Sequence, residues 1–225
     1  MARKFDKEKL TEIVINMFSM NEVMFIYYCG SDNYKTKQKK SDIDLTVVLK
    51  DFNGIIHASI DGVDIFAYGY GDFLQRQSIN DTLPLYNLIH ADDIINMEEN
   101  IIYMNELYLT DYNHVKSLKF EDVLPEYLDA VITYFNQLIN VEKVVVKRSY
   151  HIIRVRGILE KFLTTGKYGV NLDEVWLEKI FDHKKNWDKT LNTDEHLLQL
   201  KAYLDEIITI REGLSTWKLN IPYLQ

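Results

Sequence analysis

Two carboxylates two residues apart, Asp42 and Asp44, open an apolar run, Leu45-Thr46-Val47-Val48-Leu49, after a ten-residue gap from the small pair Gly30-Ser31. Alternate side chains of an extended strand share a face, so the spacing predicts Asp42 and Asp44 side by side with Ile43 turned the other way. Carboxylates held that close repel, and a hard divalent cation that takes oxygen ligands relieves the repulsion. Just upstream, Phe25-Ile26-Tyr27-Tyr28-Cys29 reads as a buried strand that stops at Gly30-Ser31. There the main chain can come close to a phosphate, with the serine hydroxyl and free N–H groups as donors.

A third acid follows in a different setting. Ile55 through Ile60 and Val63 through Tyr68 are two strand-like runs separated by Asp61-Gly62, and a two-residue Asp-Gly loop predicts a β-hairpin. Asp64 then lies inside the second strand between Val63 and Ile65, while Asp61 serves the turn.

The block from Tyr28-Cys29-Gly30-Ser31 to Ser41-Asp42-Ile43-Asp44-Leu45, with Asp64 as a lone later acid, resembles the glycine-serine and Asp-x-Asp motif of the DNA polymerase beta-like nucleotidyltransferase superfamily. The resemblance covers residues 23–70 closely. It implies an α+β fold: a mixed-sheet nucleotidyltransferase core flanked by helices in residues 1–112, and an α-helical carboxy-terminal bundle in residues 113–225. It implies that Asp42, Asp44 and Asp64 are catalytic and hold two Mg²⁺ ions, with Mn²⁺ as a substitute, and that Gly30 and Ser31 bind the nucleotide. The reaction would move NMP from an NTP to an acceptor hydroxyl with release of pyrophosphate. The acceptor stays open between an RNA or tRNA end, a protein and a small molecule, because fold alone does not choose among them. The alternative is a non-catalytic nucleotide-binding or antitoxin-like module of the same fold. A phosphohydrolase using the same acids lacks a His-Asp pair at suitable spacing.

Composition narrows the class. Of 225 residues, 47% are hydrophobic, enough for a sizeable core. No stretch of eighteen apolar residues exists, and Met1-Ala2-Arg3-Lys4-Phe5-Asp6 lacks the apolar run of a signal peptide, so the expectation is a cytoplasmic protein with no membrane partner. The single cysteine, Cys29, excludes an internal disulfide, and the six histidines show no ligand spacing for zinc. A formal net charge of −8 argues against coating nucleic acid by charge alone.

Along the chain, Leu10, Ile13, Val14, Met17 and Phe18 recur at helical intervals and predict an amphipathic helix over 6–20. Residues 32–40 are polar and carry four lysines, a solvated loop or short helix that can also greet a polyphosphate or an acidic acceptor. Asp72 is placed to cap a short helix. Apolar periodicity predicts helices at about 122–140, 142–165, 172–183 and 193–213, with Gly166 ending the second and Asn171 or Asp173 opening the third. The tail from Ser215 reads as docked on the body. Lys147, His151 and Arg154 fall on one helical stripe, either as nucleotide-binding cations or as a solvated basic face with Tyr150, Ile153 and Gly157 turned inward; Arg148 and Arg156 fall off it.

Overall fold

A computed structural model describes residues 5–19, 22–39, 41–141, 144–185, 190–191 and 194–217. The chain divides into two units, Met1–Asn80 with His90–Lys119, and Asp81–Ile89 with Phe120–Gln225. The architecture is the expected α+β class, with a mixed five-stranded sheet flanked by helices and a carboxy-terminal helical bundle.

In the first unit, α1 (Lys7–Met17) starts at Asp6, whose side chain accepts from the Lys9 N–H, and its buried stripe is Leu10 and Val14. Strand β1 (Val23–Tyr28) leads into a single turn, α2 (Gly30–Asn33), and then β2 (Ile43–Leu49). Strands β3 (Ile55–Ile60) and β4 (Val63–Gly69) form the expected hairpin, with positive φ at both Asp61 (52°) and Gly62 (81°), the backbone of a tight two-residue turn. The sheet order is β3-β4-β2-β1-β5. Strand β2 pairs with β4 in parallel, while β1–β2, β3–β4 and β1–β5 are antiparallel.

The fifth strand, β5 (Ile101–Met104), follows α3 (Tyr70–Gln77), the 3₁₀ turn Ala91–Asn96 and α5 (Met97–Asn100); α6 (Leu109–Ser117) completes the unit. Helix α4 (Leu85–Leu88) belongs to the second unit. Asp72 differs from its expected capping role. Gly69 stands at the start of α3, and Asp72 Oδ2 instead accepts the Gly54 N–H at 2.7 Å, tying the β2–β3 loop to the helix.

Two apolar clusters cover the two faces of the sheet. Leu45, Val47, Val63, Ile65 and Ala67 pack with Leu10 and Val14 on one face. Phe25, Tyr27, Val48 and Tyr68 pack with Phe73, Met97 and Val115 on the other. Within the second cluster lies an ion pair, Arg76 and Asp93, each side chain only 1% exposed. Arg76 Nη2 and Nη1 donate to Asp93 Oδ1 and Oδ2 at 2.8 and 3.2 Å, Arg76 Nη2 also donates to the Tyr27 hydroxyl at 2.7 Å, and that hydroxyl donates to Asp93 Oδ1 at 2.8 Å. Burial pulls the guanidinium pKa down, but the Asp93 carboxylate beside it outweighs that and holds it well above the ordinary value.

In the second unit, α7 (Leu124–Ile139), α8 (Val146–Thr165), α9 (Glu174–Lys184) and α10 (Asp194–Trp217) form the bundle, and β6 (Val144–Val145), just before α8, pairs antiparallel with β7 (Thr190–Leu191), which lies between α9 and α10. Gly166 ends α8 in the left-handed region at φ 70°, its N–H closing on Phe162 O at 2.8 Å, as expected of a helix-terminating glycine. Asp173 stands at the start of α9. Helix α10 packs against α7 and α8, and α8 against α9. Among the described residues no helix is long and apolar enough to cross a membrane. The expected docked tail from residue 218 onward lies outside the described residues.

Breaking the buried ion pair leaves an uncompensated charge in the core, so Arg76→Met is expected to cost about 3–5 kcal/mol in urea unfolding. Gly157 gives a second test, because a Cβ there would sit 2.7 Å from Trp176 Cγ and 2.9 Å from Leu172 Cδ2. Gly157→Ala is expected to cost about 1–3 kcal/mol by the same measurement.

Candidate active site

The carboxylates sit where β2 and β4 begin. In the parallel register Ile43 pairs with Val63 and Asp44 with Asp64. Paired residues of adjacent strands project to the same face, about 4.8 Å apart along the sheet. Asp44 therefore stands beside Asp64 on the face that carries Thr46, Val48, Phe66 and Tyr68. Asp42 is exposed one residue ahead of β2, and its Oδ1 lies 3.8 Å from where a Cβ on Gly62 would be, next to the hairpin turn.

Gly30 explains how the β1 end meets this pair. The Cys29 N–H donates to Asp44 O at 2.9 Å, extending the β1–β2 ladder to the loop. Gly30 then turns the chain at φ 56°, and a Cβ there would lie 2.8 Å from Asp44 Cγ and 3.0 Å from its Cβ. Both the backbone conformation and the close approach of the Asp44 carboxylate demand glycine. Ser31, next in the chain, is 8% exposed, and its Oγ is buried without a hydrogen-bond partner. A buried hydroxyl left without a partner has hydrogen-bonding capacity to spare.

A buried polar network holds the site from below. Thr46, two residues along from Asp44, has its Oγ1 3.5 Å from Asp93 Oδ2, and Asn33 Nδ2 donates to Asp93 O at 2.8 Å. The Arg76–Asp93 pair thus meets both the strand of Asp44 and the turn after Gly30-Ser31. Cys29, 5% exposed, has its thiol pKa pushed well up by burial, with the Asp44 charge adding to it. It is a neutral core group, not a nucleophile.

The polar segment after α2 presents Lys35, Lys37 and Lys39 to solvent, with Lys37 Nζ paired to Asp32 at 2.7 Å. Lys40 lies outside the described residues. The second unit holds the stripe. Lys147 is exposed, His151 is 5% exposed and Arg154 is fully buried. Arg154 Nη2 donates to Ile89 O at 3.1 Å and its Nε to His151 Nδ1 at 3.2 Å. Tyr150 and Ile153 are buried as well, so α8 is covered on both sides of the stripe and only Lys147 of the three is solvated. Arg156, off the stripe, pairs with Glu160 and Glu206.

Sequence reasoning missed Arg76, Asp93 and Asn33. The one signal was two adjacent acids, Asp92-Asp93, inside the apolar stretch from Leu88 to Ile95, a placement that asks for buried partners. It also passed over His57, which lies across from Phe66 on β3 with its Nε2 3.9 Å from Asp64 Oδ1.

Among the described residues, no three His, Cys, Asp or Glu side chains form a ready-made metal cage. The acids that the register does set side by side are Asp44 and Asp64, with the Asp44 carboxylate filling the space over Gly30.

No protein-family model matches the chain, and no curated protein does. Among solved structures the chain is similar to a nucleotidyltransferase-like protein from Exiguobacterium sibiricum 255-15, with 16% sequence identity, 92% of this chain and 74% of that chain covered, and a TM-score of 0.34. So loose an overlap leaves the argument to the residues themselves.

Two measurements test this geometry. Gly30→Ala is expected to destabilise the protein by about 1–3 kcal/mol in urea unfolding, from the left-handed backbone and the clash with Asp44. The Cys29 thiol is expected to stay unreactive toward a disulfide reagent at neutral pH in the folded protein, and to react fully once urea unfolds it.

Proposed function

We propose that the chain is a metal-dependent nucleotidyltransferase, moving a nucleoside monophosphate from an NTP to an acceptor hydroxyl and releasing pyrophosphate. The observation that carries the reading is the parallel register that sets Asp44 beside Asp64, next to a glycine whose missing side chain makes room for Asp44. Asp42, Asp44 and Asp64 are the residues that would hold Mg²⁺, or Mn²⁺ in its place. Bound there, such ions supply charge neutralisation to the phosphoryl oxygens and the attacking hydroxyl.

The remaining work falls to the chain's own groups. Ser31 Oγ, buried and unpartnered, donates to a phosphate oxygen, while Gly30 leaves room for the Asp44 carboxylate beside it. Asp64, at the β4 side of the pair, accepts the proton of the acceptor hydroxyl. The buried Arg76–Asp93–Tyr27 network keeps β2 and the Gly30 turn in fixed relation, the preorganisation that such a site requires. The reading is confined to the first unit and uses none of Lys147, His151 or Arg154.

Calorimetric titration of each NTP with Mg²⁺, followed by an assay for released pyrophosphate in the presence of cell extract, tests the proposal. Asp44→Ala is expected to lower pyrophosphate release at least ~10³-fold while changing the urea-unfolding free energy by no more than about 1 kcal/mol. Wild-type turnover in Asp44→Ala would overturn the assignment. NTP binding by the native protein without any release of pyrophosphate would instead assign the non-catalytic alternative.

A further inference from the structure

We propose that the outer edge of β3 is a docking strand for an extended, lysine- or arginine-bearing segment of a partner protein, which joins the five-stranded sheet as a further strand. This edge would serve the chain whether or not the chain transfers nucleotides. The two edges of the sheet are finished differently. At β5 the strand is four residues long, its partner's register shifts between Ile26 and Tyr27, α1 packs against it, and Lys7 Nζ donates to Ile101 O at 2.6 Å. A short, irregular edge carrying a lysine resists a further strand. The β3 edge has none of these devices. It runs for six residues, Ile55-Ile56-His57-Ala58-Ser59-Ile60, in unbroken register with β4 and without proline, lysine or arginine.

The phase of the ladder decides which main-chain groups face outward. The Gly69 N–H donates to Gly54 O at 3.1 Å, so that opposed pair is hydrogen-bonded, and by alternation so are Ile56 with Ala67, Ala58 with Ile65 and Ile60 with Val63. The N–H and C=O groups of Ile55, His57 and Ser59 therefore point away from β4, and among the described residues none of these groups has a partner. A strand laid along the edge bonds to all three residues. It also continues the two faces of the sheet. Beside Ile56, Ala58 and Ile60, half-buried on the α1 face, it places apolar side chains; beside His57 and Ser59, exposed on the other, it places polar ones.

Charge chooses the partner. Asp51, its side chain 79% exposed, precedes β3, and Asp61 is exposed at the turn that follows it. Residues 51–69 hold no lysine or arginine, and Lys50, just before them, stands 3.9 Å from Asp51. A second copy of the chain would bring a net charge of −8 and the same acids against their like. A cationic segment meets complementary charge at both ends of the strand.

The probe is the end-capped peptide Lys-Val-Thr-Val-Thr-Lys, set against its counterpart with glutamate in place of both lysines. Each is added at millimolar concentration to the full chain, and amide hydrogen exchange is read residue by residue by NMR. In the protein alone the amides of Ile56, Ala58 and Ile60 are expected to be protected and those of Ile55, His57 and Ser59 to exchange fast. The lysine peptide is expected to protect the second set as well, to bind about 10-fold more tightly than the glutamate peptide at low salt, and to lose that advantage as salt is added. Ser59→Pro removes one outward N–H and leaves the bonds to β4, so it is expected to weaken the lysine peptide about 10-fold with the urea midpoint little changed. Asp51→Asn combined with Asp61→Asn, where asparagine suits the positive φ at position 61, is expected to bring the two peptides within about 3-fold of each other. Binding of neither peptide, or binding that leaves Ile55, His57 and Ser59 exchanging fast, overturns the docking strand. Equal affinity of the wild type for both peptides, or an undiminished lysine preference in the double variant, overturns the charge class of the partner. Protection of the same three amides that rises with protein concentration alone, with a dimer in sedimentation, assigns the edge to a second copy and overturns the partner.

Discussion

The parallel pairing of β2 with β4 is the constraint on which the candidate site depends. Two carboxylates on adjacent strands repel, and nothing about Asp44 and Asp64 themselves would bring them together. What does so is the apolar face behind them. Leu45, Val47, Ile65 and Ala67 are fully buried against α1, and a one-residue slip would turn this set toward the opposite face and carry Asp64 away from Asp44. The free energy of a hydrophobic core, roughly 1.5–3 kcal/mol for each large apolar side chain it buries, far exceeds the repulsion of two partly solvated carboxylates. A structure held in this way can store unfavourable electrostatics at the strand ends.

The same logic runs on the other face with polar groups. The Arg76–Asp93 pair is costly to bury and is retained with nearly every donor direction used, on Tyr27, on Asp93 and over the rings of Tyr68 and Phe73. Replacing it with well-packed apolar residues could preserve stability, so stability alone does not explain it. Its contacts do. Asp93 receives Asn33 on its carbonyl and lies near Thr46 with its carboxylate, so one buried acid meets both arms of the site, the turn after Gly30 and the strand of Asp44. A directional network fixes those arms relative to one another in a way that non-directional packing would not.

What the sequence made legible was local. The Asp61-Gly62 turn, the Gly166 helix end, the alternation around Asp44 and the requirement for a small residue at position 30 all follow from a few neighbouring residues. The parts that escaped depend on partners far along the chain. Strand β5 is four residues, Ile101-Ile102-Tyr103-Met104, an apolar run too short for periodicity to tell a strand from a buried helical turn. Arg76 and Asp93 meet across 17 residues, and the pairing of His57 with Asp64 and Phe66 exists only once the hairpin register is fixed. The basic stripe was correctly placed on one helix, but periodicity gives a residue's direction around the helix axis and not what lies there. In α8 nearly every direction is covered: Ile152, Val155, Ile158 and Leu159 are buried together with Tyr150, His151 and Arg154. The apolar and basic faces of that helix are therefore not the inside and outside that an amphipathic pattern suggests.

The stripe has a clear structural consequence even so. The segment Asp81–Ile89 belongs to the second unit although the chain on both sides of it belongs to the first. Its short helix α4 is capped by Ile89, whose carbonyl lies past the last turn and needs donors from elsewhere. Two arrive from the bundle: the Tyr127 hydroxyl of α7 at 3.2 Å and Arg154 Nη2 of α8 at 3.1 Å. A guanidinium is well suited to this task, because its planar fork can hold a carbonyl and the His151 ring nitrogen at once while its position stays fixed by the packed helix. Burying that charge fully is expensive, and a chain that needed only apolar packing at position 154 would place leucine there. The arginine is explained by what it fastens: it is one of the directional contacts that hold an excursion of the chain against a bundle whose own helices begin some thirty residues later in the sequence.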